Sequence, residues 1–224
     1  METYNDKRLE KAYDHIMSGE LYEAIELFEE YLERHPNNIV LLMEEANLYY
    51  ILGEMTKCIA TYKKVMEIKP DNIFALYRIG VTYYRSTNFT AATEVFNKII
   101  ASGKHLPMTY IWLGLSYYHI GREDLSIECY KKLLELSPET TMANYYLGIA
   151  LKASGKYDEA APYFKKLIAE NEHHISARYH LGRLYMNTNK FDAAKEQLKE
   201  VIKFDPQHKN ATEMLDYIFD DHKF

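Results

Sequence analysis

Residues 112–121 read WLGLSYYHIG, and the spacing of their apolar side chains is that of a helix. Gly114 sits inside it, where glycine costs roughly 1 kcal/mol relative to alanine. The same conflict returns as RIGVTYYRST at 78–87, YLGIALKASG at 146–155 and HLGRLYMNTN at 180–189. The interior glycines Gly80, Gly114, Gly148 and Gly182 are each 34 residues apart, and two further steps back reach Ala46 and Ala12.

Three more series share this period. Twelve residues on stand Ala24, Cys58, Ala92, Ser126, Ala160 and Ala194, all small. Four later come Phe28, Tyr62, Phe96, Tyr130, Phe164 and Leu198, all large. Prolines close the frame at Pro36, Pro70, Pro138 and Pro206, with Lys104 and Glu172 in the other two places. A fixed period of this length marks a stacked-repeat architecture in which each segment buries its apolar faces against its neighbours. The frame divides the chain into an N-terminal extension (1–4), six repeats (5–38, 39–72, 73–106, 107–140, 141–174 and 175–208) and a terminal segment (209–224) read as a capping helix.

The pattern resembles the tetratricopeptide repeat family: a large residue at position 4, Leu at 7, Gly or Ala at 8, Tyr at 11, Ala at 20, Phe or Tyr at 24 and Pro at 32. The resemblance covers 5–208 and implies an all-α fold, a right-handed α-solenoid of antiparallel helix pairs. It also implies protein binding by a scaffold or adaptor rather than catalysis.

The residues support this reading by themselves. Each repeat holds two apolar-periodic helices, near positions 1–14 and 18–31, separated by turns at Gly19, Gly53, Gly121 or Gly155. Thr56, Thr90, Asp124, Asp158 and Asp192 stand where the second helix should begin, and their side-chain oxygens are expected to cap it. The prolines should stop it. A missing side chain at position 8 lets the large residue at position 24 approach closely, which offsets the helical cost of glycine.

Departures are local. In repeat 3, Gly103 and Pro107 take over the punctuation; Pro162 removes one hydrogen bond from the second helix of repeat 5. Lys11 replaces the usual Leu in repeat 1, as expected of a solvated end. In the terminal segment Leu215 and Phe219 continue positions 7 and 11, with Glu213, Asp216 and Asp220 facing water.

Composition narrows the function. The chain has 224 residues, a formal charge of −6, and no apolar run that approaches a membrane span. Its polar N-terminus, METYNDKRLEKAYD, lacks a signal-peptide core, so a cytoplasmic location is expected. Cys58 and Cys129 have neither metal-ligand nor disulfide-framework spacing.

Positions 2, 5, 6, 9, 12 and 13 of each first helix share the face not used for packing, and the resemblance makes this the concave partner face. Repeat 3 supplies Phe74, Tyr77, Arg78, Val81, Tyr84 and Arg85, and repeat 4 supplies Met108, Ile111, Trp112, Leu115, Tyr118 and His119. Repeat 5 supplies Met142, Tyr145, Tyr146, Ile149 and Lys152, and repeat 6 adds His180 and Arg183. Asp6, Glu10 and Glu44 make the opposite end acidic. Aromatic and arginine side chains carry much of the energy of protein interfaces, so an apolar peptide or helix with acidic residues nearby is the expected ligand of repeats 3–5.

The two-carboxylate clamp of the chaperone-binding subset is not expected. Asn47 and Arg78 match it, but Met43 and Met108 replace its lysines.

Catalysis, a cofactor and a metal site are not expected. His173 and His174 are adjacent and His180 lies six residues on, without ligand spacing, so the histidines are read as surface imidazoles. Two alternatives stand beside peptide binding. One is a homo-oligomer in which Tyr217, Ile218 and Phe219 dock into another copy. The other is single-stranded RNA stacked on the aromatic face, which Glu10, Glu44 and the net negative charge oppose.

Overall fold

A computed structural model describes residues 7–104 and 106–220. The expected N-terminal extension, Asp6, His105 and the last four residues of the terminal segment lie outside the described residues, as does the Asp220 side chain. Among the described residues the chain forms thirteen α-helices and no strand. It divides into two compact units, Met1–Trp112 and Leu113–Phe224.

The N-terminal unit holds α1 (Lys7–Ser18), α2 (Leu21–Arg34), α3 (Ile39–Leu52), α4 (Met55–Ile68), α5 (Ile73–Arg85) and α6 (Phe89–Ala101). Successive helices pack together from α1 to α6. The division falls within α7 (Pro107–His119), whose first residue is a proline, a position where the missing N–H costs nothing. The C-terminal unit continues with α8 (Glu123–Leu136), α9 (Thr141–Ala153), α10 (Tyr157–Glu170), α11 (Ile175–Asn187), α12 (Phe191–Phe204) and α13 (Lys209–Asp220). There α8 to α13 pack in sequence. Both units are thus solenoid stacks of antiparallel helix pairs.

The second helices begin one residue earlier than the periodicity predicts, and this corrects the expected caps. Thr56, Thr90, Asp124, Asp158 and Asp192 lie inside the first turn, as second helical residues. The residues before the helices at Glu54, Arg122, Lys156 and Lys190 make no side-chain cap bond; only Asn88 does, through the Ala91 N–H. The acids at 124, 158 and 192 still face the positive end of the helix dipole.

Apart from Asn88, the side-chain caps belong to first helices, at position 34, although Thr140 at that position makes none. Asn38 accepts from the Leu41 N–H and Asn72 from the Ala75 N–H. His174 and His208 do the same through Nδ1, from Ala177 and Ala211, both at 3.2 Å. His174 is therefore a half-buried helix cap, not a surface imidazole.

Ala12 and Ala46 and the later glycines, the second small series and the large series are buried throughout. A Cβ placed on Gly80 or Gly114 would lie 2.6 Å from the ring of Phe96 or Tyr130, respectively. On Gly182 it would lie 3.1 Å from Leu198. The interior glycines are space for the large residue sixteen positions on.

Pro162 does not break α10. On α13, Leu215 and Ile218 are buried with Ala211, whereas Phe219 is exposed beneath the ammonium groups of Lys195 and Lys199. Phe219 does not repeat the packing expected of position 11, and Ile218 is buried within its own chain.

Candidate functional site

In the N-terminal unit the partner face is built on α3, α5 and the start of α7. Arg78 and Arg85 are two helical turns apart on α5. Their guanidinium carbons lie 4.4 and 4.5 Å from the ring centroid of Tyr50, so one phenol ring holds two cations. Arg78 also donates through Nε to the Tyr62 hydroxyl at 3.1 Å, and that hydroxyl donates to Asn47 Oδ1 at 2.6 Å. Burial pushes the Tyr62 phenol above its ordinary pKa, and the Arg78 hydrogen bond opposes the shift. Asn47 and Arg78, the two residues that match the carboxylate clamp, are thereby joined through a core tyrosine. No carboxylate among the described residues lies within salt-bridge distance of Arg78 or Arg85.

Trp112 is pinned from two sides. Its indole N–H donates to the Tyr77 hydroxyl at 2.8 Å, and its ring meets Tyr84 edge-on at 5.1 Å. Tyr77, Arg78, Tyr84 and Trp112 are half-buried, while Phe74, Arg85 and Met108 are exposed. Val81 and Ile111 are core residues, 3% and 2% exposed, and leave the set available to a partner.

In the C-terminal unit the same stitch recurs. Tyr145 and His180 are, like Tyr77 and Trp112, 35 residues apart, and the Tyr145 hydroxyl lies 3.2 Å from His180 Nε2. Lys152 Nζ reaches the other ring nitrogen, Nδ1, at 3.1 Å. Burial, then Lys152, Arg183 and His174, bring the His180 pKa down to about 3, so the ring is neutral. With a charged Lys152 donating to Nδ1, the ring proton sits on Nε2 and is donated to Tyr145. His174 stacks on Tyr145, Tyr130 stacks on Tyr146, and Arg183 lies over Tyr179 at 5.8 Å. Leu115, Tyr118 and Ile149 are half-buried; His119, Met142 and Arg183 are exposed.

Periodicity alone did not reveal Tyr50, whose role depends on two arginines from the next repeat. Nor did it reveal Tyr62 as a polar hub, because its position reads as a large apolar filler. Among the described residues, no three His, Cys, Asp or Glu side chains are grouped to hold a metal ion, and no helix is long and apolar enough to cross a membrane.

Stacked helix pairs with a small-to-large contact repeated every 34 residues define a helical-repeat protein. The chain belongs to the tetratricopeptide repeat family. Family models described as tetratricopeptide repeat match residues 74–102, 113–175 and 151–215, and one described as TPR repeat matches 46–86. No curated protein matches the chain.

Among solved structures the chain is similar to YrrB, described as a TPR protein with an unusual peptide-binding site. Identity is 23% over 84% of this chain and 97% of that one, with a TM-score of 0.73. It is similar to MamA at 27% identity, over 72% and 94% of the two chains, with a TM-score of 0.66. It also resembles PilW, a type IV pilus biogenesis factor, at 18% identity over 96% and 100% of the chains, with a TM-score of 0.76.

Proposed function

We propose that the protein is a non-catalytic protein–protein interaction scaffold that binds an apolar polypeptide segment bearing acidic residues through the partner faces of repeats 3–5. The observation that carries this reading is the Tyr50 ring in contact with both Arg78 and Arg85, two cations without a carboxylate partner among the described residues. Holding guanidinium groups on an aromatic face limits the side-chain entropy lost on binding. Exposed Phe74 and Met108 in the N-terminal unit and Met142 in the C-terminal unit supply apolar contact area. YrrB, a TPR protein of similar fold described as having a peptide-binding site, is a precedent for such binding.

Trp112 and Tyr146 are poor probes, because both also pack within the chain. The exposed residues are better. Phe74→Ala, Arg85→Gln and Met142→Ala, combined, should weaken capture of partner proteins by about tenfold or more with circular dichroism unchanged. Equal capture by the wild type and the triple variant would refute this reading.

Self-assembly is the second reading, favoured by Tyr217 and Phe219, which are exposed on α13. A chain ending at residue 208 would also delete buried Leu215 and Ile218. Sedimentation of the full chain beside Tyr217→Ser and Phe219→Ser is therefore the cleaner measurement, and a monomer in every case would exclude it.

A further inference from the structure

Lys152, His180 and Arg183 form a cluster whose charges are not balanced locally. Lys152 comes from α9; His180 and Arg183 stand three residues apart on α11, on one face. His180 is neutral and both its nitrogens are engaged, Nδ1 by Lys152 and Nε2 by Tyr145. The cluster therefore carries two positive charges, one of them the Lys152 ammonium held against a fixed imidazole. Among the described residues, no carboxylate lies within salt-bridge distance of either cation. The titratable groups facing it are Tyr145 on α9, His174 before α11, Tyr179 on α11 and Glu213 of α13, which lines the pocket beside Arg183 with Asn187 and Asn210 but pairs with Lys209 at 3.8 Å. From α10 the neighbour is the Phe164 ring, 5.5 Å from His180 and without charge.

Like charges held together in a partly desolvated place destabilise each other. Burial, and then Arg183, pull the Lys152 ammonium down to about 8. An anion seated between the two cations reverses the sign of that interaction. The apolar wall beside Arg183 is the Tyr179 ring, so a carboxylate on a short aliphatic stem fits better than a hydrated inorganic ion.

We propose that Lys152 and Arg183 form a binding site for one carboxylate of the bound segment, an Asp or Glu side chain, with His180 as the positioning residue that aims the Lys152 ammonium. The proposal rests on the partner-face reading above and gives it a specific anchor in the C-terminal unit. Tyr145 completes the device by fixing the imidazole from the far side.

The test uses the full chain with lysine ¹³Cε labels and succinate as the probe, with chloride at equal ionic strength as the control. Succinate should raise the Lys152 titration midpoint by about one pH unit, and chloride should not. Arg183→Gln should abolish the succinate response. His180→Gln should weaken the response while leaving Arg183 in place. Identical curves in succinate and chloride, or an undiminished response in Arg183→Gln, would overturn the proposal.

Partner capture separates this failure from that of the broader reading. If the exposed-residue triple variant loses capture while succinate has no effect, the partner face stands without this anchor. If succinate shifts Lys152 while the triple variant captures normally, the anion site stands and the partner-face reading fails.

Discussion

The ring of Phe164 occupies the space that a side chain on Gly148 would need: a Cβ built there would lie 2.8 Å from Cζ. At Gly80 and Gly114 the corresponding distance to Phe96 and Tyr130 is 2.6 Å, and at Gly182 it is 3.1 Å to the flexible end of Leu198. Alanine gains about 1 kcal/mol of helix propensity at each site but must displace the neighbour, and overpacking costs about 1–3 kcal/mol. A rigid ring cannot yield as a leucine can. Gly80→Ala, Gly114→Ala and Gly148→Ala should therefore each destabilise by about 1–2 kcal/mol in urea unfolding, while Gly182→Ala stays within about 0.5 kcal/mol of wild type. Equal losses at all four would remove the ring contact as the cause.

The turn between paired helices makes the opposite demand. Gly19, Gly53, Gly121 and Gly155 have φ near +80°, and the same turn in the two remaining repeats is made by Thr87 at +59° and Asn189 at +56°. This region costs residues with a Cβ about 1–2 kcal/mol, most for a β-branched one, and Asn tolerates it best. Thr87→Gly should raise the urea midpoint by about 1 kcal/mol of stability, and Asn189→Gly by less. A fall in either would mean that the native side chain makes a contribution larger than its strain.

These two cases show where the sequence was sufficient. Spacing placed Gly148 opposite Phe164 because both belong to unbroken series and sixteen residues is a property of the repeat. The same spacing put the second helices one residue late, since Thr56 and the acids of the first turn look like caps and Glu54, Arg122, Lys156 and Lys190 do not. The partner face was legible as a set of helix positions, but Val81 and Ile111 are buried, and position on a helix does not carry the burial of a single residue. Tyr50 and the neutral state of His180 depend on contacts between repeats, which a linear pattern of types does not carry.

The charge state of His180 has a thermodynamic consequence. Its folded pKa is depressed from 6.5 to about 3, so between those values the unfolded chain binds more protons and stability rises with pH. The contribution is complete above 6.5 and is lost as the pH falls towards 3. Lys152, depressed from 10.5 to about 8, adds a second rise between those two values. His180→Gln should flatten the slope of melting temperature against pH between about 3 and 6.5, and Lys152→Met the slope between about 8 and 10.5. Parallel profiles for wild type and His180→Gln would mean that the ring charges freely in the folded state.

Glu45 carries the last prediction. It stands at position 7 of repeat 2, where repeats 3–6 have Ile79, Leu113, Leu147 and Leu181, and it is 4% exposed. Burial raises its pKa above the ordinary 4.5, Glu29 adds to the shift, and Lys64 and a hydrogen bond to Thr61 oppose it. The folded chain therefore holds the proton more tightly than the unfolded one, so stability is lost as the pH rises from 4.5 through the raised value. A leucine at this place has no charge to bury and matches its counterparts in later repeats. Glu45→Leu should stabilise the protein by about 1–2 kcal/mol at pH 7 and by less at pH 4, where the acid is already protonated. Calorimetry at the two pH values reads the difference directly. A variant less stable than wild type at pH 7 would show that the bond to Thr61 and the charge of Lys64 outweigh the cost of burying the carboxylate.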